Sequence, residues 1–81
     1  MSLELYGRAV LIEDLPGEGL RAGDVGVVVE HYEARGEIPE GYELEFFSAR
    51  GETVAGVSVP AIAVRAADSH ELLTVRRFRA S

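Results

Sequence analysis

Five amino-acid types are missing from this chain: cysteine, lysine, asparagine, glutamine and tryptophan. Without cysteine there are no disulfide staples, no thiol nucleophiles and no thiolate metal sites. Without lysine, all eight cationic side chains are arginines. No apolar run approaches the ~18 residues of a membrane-spanning helix, and the start Met1-Ser2-Leu3-Glu4 lacks the cationic and apolar stretches of a signal peptide. These features predict a soluble, cytoplasmic chain. Helical periodicity is almost absent as well, which excludes a helical bundle.

What is present is enough for one small core. The chain has 81 residues, 47% of them apolar, which disfavours disorder despite a formal charge of −6. The charge is unevenly spread. Residues 1–64 carry twelve acids and four arginines, for −8, whereas residues 65–81 carry two acids and four arginines, for +2. The tail and the body are therefore expected to attract one another.

Short β-branched runs separated by Gly, Pro and acidic turns predict an all-β domain. Arg8–Glu13 reads as a first strand, ending at Asp14-Leu15-Pro16-Gly17. The glycine-rich stretch Leu15–Asp24 reads as an ordered loop pinned by Leu15 and Leu20. Val25–Tyr32 forms the second strand and the polar segment Glu33–Gly41 an exposed, locally mobile hairpin loop. Tyr42–Phe47 alternates, with Tyr42, Leu44 and Phe46 on a buried face and Glu43 and Glu45 on a wet one. Gly51 suits the following tight turn, and Glu52–Val59 returns as a fourth strand in which Gly56 predicts a bulge or bend. Pro60-Ala61-Ile62 predicts one 3₁₀ turn before Val64, and His70–Phe78 a last strand that either closes a barrel or pairs with another subunit. The architecture expected is a small SH3-like barrel of five to six short antiparallel strands, in one domain spanning 1–81, with an open meander that dimerises as the alternative.

The run Asp14-Leu15-Pro16, Gly19-Leu20 and Gly23-Asp24-Val25-Gly26 followed by Val27-Val28-Val29-Glu30 resembles the signature of DUF4926, a family of small prokaryotic proteins. Tyr42-Glu43-Leu44-Glu45-Phe46, Gly51-Glu52-Thr53-Val54 and Val57-Ser58-Val59-Pro60-Ala61 resemble its later blocks. The resemblance covers about residues 8–65 and implies an SH3-like barrel; it implies no activity and no catalytic residue. The long Glu33–Gly41 loop and the extension Ala66–Ser81 depart from the family pattern. Gly23–Val28 also resembles, more faintly, the KOW element of ribosomal SH3-like barrels. Only Arg21 stands near that turn, among Glu13, Asp14, Glu18, Asp24 and Glu30, so the phosphate neutralisation that RNA binding needs is missing.

Candidate chemistry is sparse. Gly17-x-Gly19-x-x-x-Gly23 misses the dinucleotide fingerprint, and Glu18 would repel an anion. His31 with Glu33, and His70 far along the chain, do not make a metal-ligand spacing. Ser69-His70 are chain neighbours whose side chains tend to diverge in a strand. No catalytic residue, metal or cofactor is assigned, and a non-enzymatic module is expected. Two surfaces remain as candidate interaction sites: the acidic pair Glu43 and Glu45, and the basic cluster Arg76, Arg77 and Arg79 around Phe78. The first suits a basic protein partner or the tail of a second subunit in a homodimer. The second suits a terminal strand or subunit contact ahead of nucleic acid, because the net negative charge disfavours a polyanion. A small-molecule or metal-binding protein is a third alternative.

Overall fold

The computed structural model describes residues 3–80. Strands β1 (Arg8–Leu11), β2 (Val25–Tyr32), β3 (Gly41–Phe47), β4 (Thr53–Pro60) and β5 (Val64–Ala66) form one antiparallel sheet in the order β4-β3-β2-β1-β5. Two 3₁₀ turns, Pro16–Glu18 and Ala61–Ala63, complete the regular structure. The expectation of an all-β chain with five to six antiparallel strands is met at five, as is the 3₁₀ turn after Pro60.

Curvature follows from one short connection. β4 and β5 stand at opposite ends of the strand order, which in a flat sheet would separate them by about 19 Å at ~4.8 Å per strand. Yet only Ala61–Ala63 join them, a 3₁₀ turn rising about 6 Å. The sheet must therefore curl into a small barrel-like shape. The turn is tied to both sides: the Ala61 amide donates to Glu40 O (2.8 Å) and the Ile12 amide to Ala63 O (2.8 Å).

One face of this curled sheet holds the core. Ala9 and Leu11, Val28, the β3 trio Tyr42, Leu44 and Phe46, Val57 and Val59, Ala63 and Val64 are buried together with Leu20 from the first loop. Leu15 bridges back to Leu20 and packs against the same cluster, as its position between Pro16 and the first strand suggested. At Gly26 a Cβ would sit 3.0 Å from the Phe46 ring, and at Gly41 one would sit 2.6 Å from Val59 O, so both glycines allow a close approach that any side chain would block.

Two expectations need correction, and one irregularity is new. The ladder irregularity in β4 lies opposite Phe46 and Phe47, where Val54 is the extra residue, and Gly56 pairs regularly with Glu45. A second bulge, between Val28 and Glu30, leaves Val29 unpaired and reverses the facing of everything after it. The second correction concerns residues 70–78, which form no strand: among the described residues there are five strands, and the last is Val64–Ala66. Apolar residues alternate in this segment well enough for a strand, but a strand also needs a partner edge. The three-residue β5 offers a short one, and the tail crosses to the first loop instead.

The chain exposes 6059 Å², against roughly 4,800 Å² for a compact chain of this mass. The excess agrees with an exposed loop over residues 33–39 and with a tail in which Leu72 and Val75 are about nine-tenths exposed.

Candidate functional site

The outer face of β2–β3–β4 gathers carboxylates through strand register. Glu30 stands directly opposite Glu43, Glu43 opposite Ser58, and Glu45 opposite Val27 and Gly56. The bulge at Val29 creates this arrangement, because it turns Glu30 and Tyr32 outward and His31 inward. Ser58 Oγ donates to Glu43 Oε1 (2.5 Å), and the Tyr32 hydroxyl reaches the same oxygen at 3.4 Å. Partial burial pushes the Tyr32 phenol above its ordinary value, and the charges of Glu43 and Glu30 push it further. Like charges directly opposite on neighbouring strands destabilise the pair, so the Glu30–Glu43 opposition costs stability.

The basic cluster is elsewhere. Arg76 forks onto Asp24, with Nε 2.8 Å from Oδ1 and Nη2 in a short ion pair with Oδ2, and Nη2 also donates to Gly19 O (3.2 Å). Burial raises the Asp24 pKa, but the Arg76 hydrogen bond, the Arg21 backbone amide (2.8 Å) and the Arg76 and Arg21 charges outweigh it, so the net shift is downward. Phe78 packs against the core cluster, and Arg77 and Arg79 are exposed. The structure therefore does not join the two predicted surfaces: Arg76 pairs with Asp24 rather than with Glu43 or Glu45. The expected attraction between tail and body is realised at Asp24, a loop residue.

The turn that leads into the tail is stapled by a second arginine. Arg65 donates to both oxygens of Glu71 (2.9 and 2.6 Å), whose Oε1 also accepts the Asp68 amide (2.8 Å). Those contacts, the Arg65 hydrogen bond foremost, hold the Glu71 carboxyl at about 2. Between this turn and the outer side of β1 and β2 lies an open groove of about 220 Å³, lined by Arg8, Val10, Val25, Arg65, Leu72 and Leu73 among others.

The histidines are not brought together with the partners considered from sequence. His31 Nε2 lies 2.7 Å from Glu40 Oε2, and its ring stacks on Tyr42 with centroids 5.0 Å apart. His70 contacts Ser69 and Asp68 in the exposed turn. Among the described residues no group of three or more His, Asp or Glu side chains converges to hold a metal, and no helix is long and apolar enough to cross a membrane.

The sequence placed Glu30 on a strand beside Glu43 and Glu45, and the register bears that out. Sequence reasoning missed Asp24 and Gly19, because Gly23-Asp24 was legible only as turn chemistry. A family model described as a domain of unknown function (DUF4926) matches residues 5–65. No curated protein and no solved structure gave a match.

Proposed function

The chain belongs to the DUF4926 family, and on that premise we propose that it is a non-enzymatic protein-interaction module, an SH3-like barrel whose outer β2–β3–β4 face takes a basic, extended segment of a partner protein. The observation that carries this reading is the direct Glu30–Glu43 opposition, with Glu45 two residues along β3. Such a pair costs a few tenths to about 1 kcal/mol in the free protein, a cost that a cationic partner removes. The neighbouring strand β4 is at the end of the sheet order, and its Thr53–Val59 run carries no charge that would discourage an added strand. The strand order, with a 3₁₀ turn before the last strand, favours the SH3-like description. The interior is filled by side chains such as Leu11, Val28 and Leu44, which supports a role for the outer surface.

The test is titration of the labelled protein with an arginine-valine alternating peptide and with its glutamate-valine counterpart. Amide shifts on β2–β4 are expected with the basic peptide only, weakening with salt and lost in Glu30→Gln/Glu43→Gln. Equal response to both peptides, or none, overturns the reading.

A further inference from the structure

The way the tail is held differs from the way strands are held. Beyond the Asp68–Glu71 turn, residues 72–80 make no backbone-to-backbone hydrogen bond to the other described residues. Their attachment rests on side chains: the Arg76 guanidinium on Asp24 and Gly19 O, and the Phe78 ring 3.3 Å from where a Gly19 Cβ would stand. Gly19 lies in the left-handed region (φ 73°), and any Cβ there would collide with the Arg79 carbonyl. Two side-chain anchors two residues apart, seated on a fixed carboxylate and a bare glycine, are the marks of ligand recognition.

The receptor side has internal hydrogen bonds in which the tail takes no part. The Leu15 and Leu20 amides and carbonyls pair with each other (2.9 and 3.2 Å), Asp14 Oδ1 accepts the Ala22 amide (2.9 Å), and the Gly23 amide donates to Leu11 O (2.8 Å). Asp24 also accepts the Arg21 amide (2.8 Å), a contact in which the tail takes no part. A pre-organised site of this kind loses little freedom on binding.

We propose that Leu15–Asp24 is a binding site for partner-protein segments of the form arginine, any residue, aromatic, and that the chain's own Arg76 and Phe78 occupy it in cis as a displaceable stand-in. The site is distinct from the acidic outer face and does not depend on that face binding anything. Its ligand chemistry is set by what now sits there. Asp24 takes a planar guanidinium through two parallel bonds, a fork that an ammonium cannot reproduce, and Gly19 with Phe78's packing surface takes a ring. Nearby Glu18 and Asp14 favour a cationic segment further. The tail acts as an intramolecular competitor, so a partner gains apparent affinity in proportion to the fraction of molecules whose tail is released.

The test uses the full chain. Arg76→Ala/Phe78→Ala releases the tail and leaves the receptor residues untouched. The probe is a synthetic peptide with the sequence of residues 72–80, alongside the same peptide with alanine in place of its Arg76 equivalent, read by amide chemical shifts and titration. Binding to the double variant is expected to be about tenfold or more tighter than to the unaltered protein. Shifts should centre on Leu15–Asp24 and disappear with the alanine peptide or with Asp24→Asn added. If the double variant does not fold, Arg76→Ala alone, which retains the Phe78 ring, serves instead. Equal affinity for both peptides, shifts confined to β2–β4, or sedimentation showing a dimer whose tails are exchanged between copies would each overturn the proposal.

Discussion

Gly19→Ala offers the sharpest test of how the tail is held, because two other glycines supply its control. Gly19, Gly23 and Gly51 all have positive φ, at 73°, 94° and 87°. A Cβ at Gly23 or Gly51 meets nothing within 4 Å, whereas at Gly19 it strikes the Arg79 carbonyl and crowds Phe78. Alanine at any of the three costs about 1–2 kcal/mol for the left-handed backbone. Only at Gly19 must the tail also lift. Phe78 is partly buried, and complete burial of a Phe side chain is worth about 1.5–3 kcal/mol, so its release adds about 1 kcal/mol. Gly19→Ala should therefore lose about 2–3 kcal/mol and each control about 1–2 kcal/mol. With a urea m-value of about 1 kcal/mol/M for a chain this small, the extra term moves the midpoint by roughly 1 M. Limited proteolysis should cut residues 72–80 in Gly19→Ala and spare them in the controls. Equal midpoints for all three variants, with the tail protected throughout, would refute this account of the contact.

Other outcomes follow from the same contacts. Glu71, held at about 2 against an ordinary 4.5, contributes stability that is complete above pH 4.5 and is lost as the pH falls toward 2; its carboxyl NMR titration should have a midpoint near 2, and Arg65→Ala should raise that midpoint. Asp24 is likewise lowered, from 3.8, so Arg76 should stay docked through neutral pH and detach only in acid below that value, visible as loss of the Arg76 Nε signal shift. Glu30→Gln should raise stability by about 0.2–1 kcal/mol in a denaturant melt by removing one of two opposed carboxylates; a loss would mean that Glu30 has a stabilising partner. Leu44→Ala, at a fully buried position between β2 and β4, should cost about 2–5 kcal/mol. Gly41→Ala should cost about 1–3 kcal/mol by forcing β3 from the Val59 carbonyl.

Local chemistry alone made much of this protein legible. Alternation in Tyr42–Phe47 identified the buried Tyr42, Leu44 and Phe46 and the outward Glu43 and Glu45, because successive side chains of a strand face opposite ways whatever lies beside them. Pro60 announced the turn at Ala61–Ala63, and Gly51 its positive φ, because these residues restrict or free their own backbone. Three matters belonged to the tertiary structure. The bulge at Val29 decides that His31 faces in and Glu30 out, and a bulge is set by how two strands fit rather than by either strand's sequence. His70–Phe78 carries a strand's pattern without an adequate edge to join. The ion pair of Arg76 with Asp24 connects residues 52 apart, and only the curled sheet, with the first loop folded over it, sets that carboxylate where the returning arginine can reach it.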